Sequence, residues 1–342
     1  MRVHFVARAL ASAWPDLDDL TEDDVDAQAA RFRGGVNNWV IQTYLRLKSS
    51  LASAGIAATI GETLVPMCVN VAHRDCLNRL LTPYFRSFVV GIRADRPPVF
   101  LCNVEVVQND LQPRTARTAF MNLWPQPGLV ARDPARGSRV ERMAYFGRSS
   151  SLPAWFHDPA WHKALAAIGV TFEIRDTRWF DYSDVDVVLA HRVEAATMLR
   201  QKPASKLTNA WRAGVPALLA NEPAYAALRA GDLDYIAIDS PTDVLAALER
   251  LRSMPAHYAA MAANGRSRGA AFSVEAVKAQ WMRFLLFRVM PEAAVWHAKG
   301  HGMEARLAQL RSIARQKLAS KRFKRRVQLE LQQSPEIETA AA

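Results

Sequence analysis

The chain has 342 residues, 50% hydrophobic and 23% charged, which excludes wholesale disorder and suits two domains better than one. Its three cysteines, Cys68, Cys76 and Cys102, cannot staple a secreted scaffold and show no metal-ligand spacing, so a reducing compartment is the simplest reading. The formal charge of +11 is concentrated: ten basic residues stand between Lys299 and Arg326 against one acid, Glu304, which leaves the remainder near neutral and argues against a nucleic-acid-binding body.

No window of 18 apolar residues lacks a charge, so no membrane-spanning segment is expected. The opening MRVHFVARALASAW, interrupted by His4 and Arg8, reads as a first strand (Val3–Val6) rather than a signal peptide. An acidic insertion (Asp16–Asp26) leads to Arg33-Gly34-Gly35-Val36-Asn37-Asn38 and an amphipathic helix over Trp39–Leu51. β-Branched runs predict strands at Val65–Val71, Phe88–Ile92 and Val104–Val107, about five strands in all before the boundary. The Pro-, Gly- and Arg-rich stretch Trp124–Arg142 predicts that boundary. Beyond it, strands at Met143–Phe146, Val170–Ile174, Val185–Leu189, Val215–Leu219 and Tyr235–Ile238 alternate with helices such as His162–Ile168, Leu207–Arg212 and Val244–Leu251. After Ser273 the pattern is wholly helical, over Val274–Val289 and then from about Gly302 to Leu331.

Alternating β and α elements predict an α/β protein of two doubly wound, Rossmann-like domains facing across a cleft, with a helical extension at the end. The ranges are 1–135, 136–290 and a basic helical tail over 291–342. In that tail Leu307, Leu310, Ala314 and Leu318 form one apolar stripe. Two readings of it stay open: a solvated helix packed on its own domain, or a helix drawn to anionic lipid headgroups.

Doubly wound sheets bind ligands beyond the carboxyl ends of their strands, so the loops there carry the candidate chemistry. The most informative is Lys202-Pro-Ala-Ser-Lys-Leu-Thr-Asn-Ala-Trp-Arg-Ala-Gly-Val-Pro216, after the strand DVDVVLA. Pro203 suits a first helical turn and Ser205 a cap, with Lys202 and Lys206 four residues apart on one side. Free amides, a positive dipole end and two ammonium groups are what a diphosphate requires. Each lysine at contact contributes about 4 kcal/mol of gross attraction at an effective dielectric near 20, against about 0.3–1 kcal/mol from the dipole. Simple solvation of a helix end by both lysines is the alternative.

The loop Tyr145–Ser151 places Gly147 for close backbone approach and Arg148 as a fork of donors. Arg192 is a phosphate ligand or a salt-bridge partner, and Glu222 and Tyr225 follow a strand within reach of the same donor. In the first half Gly34 and Gly35, with Asn37 and Asn38, offer bare backbone to a substrate or form only a turn. His73, Asp95 and Asn109 also follow apolar strands, His73 and Asp95 being the candidates for a general base. Asp184 and Asp186 begin a strand and read as structural, and no paired aspartates suggest a metal.

Domain order, the double glycine, Gly147-Arg148 and KPASKLTNAWRAGVPALLANEPAY together resemble glycosyltransferases of the GT-B fold, over residues 1–290 as architecture and most specifically over 143–290. The resemblance implies that the later half binds a nucleotide sugar and the earlier half the acceptor. Arg148 then matches the diphosphate-binding arginine of the retaining enzymes, and Gly34-Gly35 their glycine loop. Two departures stand out: the paired glutamates of that family fall on Gln201 and Asn209, and no lysine lies in 149–156, a role left to Lys206. Lys206 and Asn209 are also similar in spacing, one residue shorter, to the donor loop of α-1,3-fucosyltransferases, so retaining and inverting outcomes both stay open.

The function so implied is transfer of a sugar from a UDP- or GDP-sugar co-substrate to a saccharide acceptor, lipid-linked or free, in cell-surface glycan assembly. The enzyme is expected to be metal-independent, to hold no permanent cofactor and to bind no nucleic acid. It is expected in the cytoplasm, peripheral on the inner face of the membrane through the basic helix 299–326. A catalytically silent scaffold of the same fold is the alternative.

Overall fold

A computed structural model of the chain describes residues 2–77, 82–112, 115–149 and 152–333; Ser150 and Ser151 of the Gly-Arg loop and residues 334–342 of the tail lie outside them. The chain divides into two compact units. The first holds the chain up to Pro127, the three residues Gln201–Pro203, and Val274–Arg326; the second holds Gly128–Arg200, Ala204–Ser273 and the chain from Val327.

The first unit is built on six parallel strands: β1 (Arg2–Val6), β2 (Ala57–Gly61), β3 (Val69–His73), β4 (Phe88–Ile92), β5 (Val104–Val107) and β6 (Thr118–Phe120), in spatial order β2-β1-β3-β4-β5-β6. Strands β3 and β4 are buried along their whole length, as near-continuous apolar runs require when both sheet faces are covered. The edge strands β2 and β6 escape the sequence pattern because Ala-Ala-Thr-Ile-Gly and Thr-Ala-Phe carry too little apolar periodicity. β3 also starts four residues later than its apolar run. The Asn70 side chain accepts from Val65 N–H (2.8 Å) and donates to Val65 C=O (2.9 Å), which holds Val65 in a turn.

The sequence assigns 274–290 to the later domain, yet Val277, Trp281, Phe284, Leu285, Val289 and Ala293 join the buried cluster of Phe5, Val71 and Val90 in the first unit. Helical periodicity announces an apolar face but not which sheet it covers. The acidic insertion is likewise structural: Asp26 pairs with the buried Arg46 (3.1 Å), Asp16 with Arg31 (2.7 Å) and Glu22 with Lys278 (2.5 Å).

The second unit has five parallel strands: β7 (Arg142–Phe146), β8 (Thr171–Arg175), β9 (Val187–Ala190), β10 (Ala217–Leu219) and β11 (Ile236–Ala237), in order β11-β10-β9-β7-β8. Both sheets therefore run second-first-third in space, and the order reverses between the first and third strands of each. In doubly wound sheets that reversal opens a crevice at the carboxyl ends. In the first unit it lies beyond β1 and β3, and in the second beyond β7 and β9.

Asp186, directly before β9, is fully buried and accepts from Arg132, Arg136 and the backbone N–H groups of Glu141 and Arg142 at 2.7–3.2 Å. Burial would raise its carboxyl pKa; the Arg136 hydrogen bonds and the others hold it low instead. The arginine-rich stretch that the sequence marks as a boundary is thereby fixed to the amino end of the sheet.

Candidate functional site

In the second unit the crevice begins where β7 ends. Gly147 has φ 153°, and a Cβ there would meet the Tyr145 ring and hydroxyl at 3.0 Å, so only glycine lets the backbone pass this close to the phenol. Arg148 follows and is exposed. The Lys206 ammonium lies 4.9 Å from the centroid of the same Tyr145 ring. Tyr145 thus joins the two loops that sequence singled out separately. Burial pushes its phenol up to about 12, so it keeps its proton at neutral pH and can donate a hydrogen bond.

Lys206 is the second residue of the helix Ser205–Ala213. Ser205 is not the cap: the helix already includes it, and Ala204, which occupies the cap position, makes no side-chain capping hydrogen bond. The first amides of the helix therefore stay available to a ligand beside Lys206. Asn209, one turn on, hydrogen-bonds the Tyr182 hydroxyl, and the Tyr182 ring stacks on Phe146 at 3.9 Å and 17°.

Beyond β9 and β10, Arg192 meets Glu222 through Nε (3.1 Å) and Nη2 (3.0 Å), and its Nη2 donates to the Tyr225 hydroxyl (2.8 Å). Glu222 and Tyr225 are buried. Burial disfavours the Arg192 charge, yet the neighbouring Tyr225 and Glu222 more than restore it and raise its pKa. Of the two sequence alternatives the structure has the salt bridge. Glu222 matches the guanidinium charge, so this trio braces the crevice wall and adds no net cation.

Lys202 does not share a helix face with Lys206. It precedes the helix, belongs to the first unit, and pairs with Asp95 at 3.0 Å. Asn109 is a strap for the same segment, donating to Lys202 C=O (2.9 Å) and accepting from Leu111 N–H (2.9 Å), while Gln108 donates to Gln201 C=O (3.2 Å) and Gln112 bonds the Gln201 side chain. Burial would raise the Asp95 pKa, but Lys202 lowers it further, which makes the carboxylate a poor proton acceptor.

His73 ends β3 and is buried. Burial lowers its pKa to about 4, so the ring is neutral at pH 7. Nδ1 accepts from Asp75 N–H (3.2 Å), which leaves the single proton on Nε2. Nε2 is buried without a hydrogen-bond partner among the described residues, and it faces Gly35, where a Cβ would come within 2.8 Å. The structure thus joins the glycine pair to His73, which sequence kept apart, and presents the imidazole there as a donor. Gly34 has φ 83°, its carbonyl accepts from Asn38 N–H (3.1 Å), and the Asn37 side chain donates to Arg31 C=O (3.0 Å). The chain then makes a π-helical turn over Asn37–Ile41 before the helix Gln42–Ser53.

Tyr145 and Tyr182 went unrecognised as site residues. The available signal was an aromatic two positions before a strand-end glycine. Among the described residues no group of three or more His, Cys, Asp and Glu could hold a metal ion, and no helix is long and apolar enough to cross a membrane.

The sequence matches no protein-family profile and no curated protein significantly. Solved structures are similar in fold. HepE from Anabaena in complex with UDP is 12% identical, with 83% of this chain and 99% of that one covered at a TM-score of 0.52. The complex of HepE with UDP and glucose gives 0.51. Sucrose-phosphate synthase from Thermosynechococcus elongatus is 11% identical, with 86% and 100% covered at 0.53. The chain has the GT-B fold that the resemblance implied.

Proposed function

We propose that this protein is a glycosyltransferase that moves a sugar from a nucleoside-diphosphate donor, a UDP-sugar before a GDP-sugar, to a saccharide acceptor in glycan assembly. One observation carries this: Gly147 and Lys206 meet Tyr145 at the switch point of the second sheet, with the exposed Arg148 next in the chain and a helix start that its N-cap residue Ala204 does not cap. That is a cationic, amide-lined seat for a diphosphate. The fold shared with UDP-bound HepE supports the choice of nucleotide.

In this reading the bond from the anomeric carbon to the diphosphate oxygen breaks and the electron pair leaves with the phosphate. Arg148, Lys206 and the helix amides stabilise that charge, and no metal is required. Asn209 and Tyr182 line the nucleoside side. Gly34, Gly35 and His73 Nε2–H meet a sugar hydroxyl on the acceptor side. Neither candidate base is poised: the His73 proton sits on Nε2 and the Asp95 carboxylate is paired with Lys202. With neither side chain poised as a base, we place the reaction among retaining transfers, in which the acceptor oxygen bonds to the anomeric carbon and its proton passes to the departing phosphate oxygen. The protein works at the inner face of the membrane, on a lipid-linked or polymeric glycan.

Melting-temperature titrations with UDP, GDP, ADP and CDP test the donor assignment. A nucleotide at about 100 times its Kd stabilises by about 2.7 kcal/mol, and Lys206→Ala is expected to erase that shift. No shift with any of the four would overturn the reading. The silent-scaffold alternative draws on Gln201 and Asn209 at the paired-glutamate positions; it predicts nucleotide binding without donor hydrolysis or transfer.

A further inference from the structure

The long helix Met303–Gln332 packs through an unexpected face. The residues that lose solvent on this helix include Ala305, Gln309, Ser312, Ile313, Gln316, Ser320 and Phe323, recurring at three and four. Most are small or polar. Ile313 joins the cluster of Val6, Ala72 and Leu101; Ser320 accepts from Arg74 (3.4 Å), Ser312 from Arg117 (3.4 Å), and Phe323 lies under Arg93 (5.3 Å). The apolar residues point elsewhere. Met303 is 79% exposed, Leu307 48%, Leu310 45% and Leu318 49%, with Ala314 also exposed.

Residues 303, 307, 310, 314 and 318 follow the helical period at 100° per residue and define one stripe about 22 Å long. An amphipathic helix ordinarily turns such a stripe inward, since burial of apolar surface is the main stabilising gain. Here the fold holds the helix by its polar side and leaves the leucines outside. Arg306, Arg311, Arg315, Lys321, Arg322 and Arg325 are exposed along the same helix, with Glu304 the single acid between 299 and 326.

We infer that this stripe is a docking face for an anionic lipid bilayer, with Met303, Leu307, Leu310 and Leu318 entering the headgroup–acyl boundary and the flanking arginines and lysines meeting lipid phosphates. The sign and density of charge select the occupant: a second copy of the chain would bring like charges together, whereas an acidic membrane neutralises them. Each basic residue brought to such a surface multiplies affinity about fivefold. The inference gives the proposed membrane locale a named face, and it stands independently of sugar transfer.

Flotation of the full chain with phosphatidylcholine vesicles, and with vesicles mixed with phosphatidylglycerol, tests it alongside L307Q/L310Q/L318Q. All three leucines are solvent-exposed, so the variant is expected to keep the wild-type melting temperature and its response to UDP. The wild type should float with anionic vesicles only, less so as salt rises, and the variant should bind on the order of a hundredfold more weakly. Equal binding by the two proteins, equal binding to neutral vesicles, or sedimentation showing a dimer that the variant abolishes would each overturn the inference. The UDP response reports separately on the donor site.

Discussion

The two ends of strand β9 hold buried charge in different ways. At the amino end one carboxylate, Asp186, accepts six hydrogen bonds from two arginines and two backbone amides. Its accepting capacity is used up. At the carboxyl end Arg192 uses its Nε and Nη2 edges for Glu222 and Tyr225, while the Lys206 ammonium lies over the Tyr145 ring and Arg148 is exposed. A saturated network fixes chain to sheet. A network that braces its own arginine beside an exposed Arg148 and the Lys206 ammonium suits a surface for an anion.

Asp186→Ala should break the comparison most violently, because it leaves two guanidinium groups around one buried vacancy. A loss of about 3–5 kcal/mol is expected in urea unfolding; a loss under about 1 kcal/mol would show that the amino end is no anchor. Lys206→Ala should lower turnover on the order of 10²–10³-fold, the scale of one lost transition-state donor, with the urea midpoint unchanged. If turnover holds, the carboxyl end is not the donor seat.

The first unit sharpens the same contrast through pH. His73 is kept neutral by burial, with Asp75, Asp95, Arg74 and Arg96 around it, and its folded pKa of about 4 lies below the unfolded 6.5. Between those values the unfolded chain binds the extra proton, so stability is full above pH 6.5 and falls as pH drops toward 4, by about 3 kcal/mol. His73→Gln should flatten that part of the pH–stability curve; an unchanged slope would mean the ring does not carry it. The smallest effect is expected at Lys202→Ala. Its partner Asp95 is part-exposed, so a change under about 1 kcal/mol and near-normal turnover would separate it from Lys206.

That last pair also shows what sequence reasoning can and cannot see. The interior strands were legible because β4 and β9 are apolar on both faces and the run leading into β3 is mostly so, and the loops after β7 and β9 because Gly, Arg and Lys punctuate them. Lys202 and Lys206 looked equivalent, four residues apart on a presumed helix. They part because the helix begins at Ser205 and Gln201–Pro203 is strapped by Gln108 and Asn109, contacts made across more than 90 residues of chain. Local spacing carries no trace of them. The Asp186 network and the union of His73 with Gly35 are long-range in the same way.

The interleaving of the two units bears on biosynthesis. Trp281, Leu285 and Val289 complete the apolar interior begun by Phe5 and Val71, yet they leave the ribosome only after the whole stretch Gly128–Arg200 and Ala204–Ser273. The earlier sheet must wait, half-covered, while the later one is made. A nascent chain that has emerged as far as residue 273 should therefore hold the complete sheet of the second unit beside an immature first one, a reversal of the usual amino-to-carboxyl sequence of maturation.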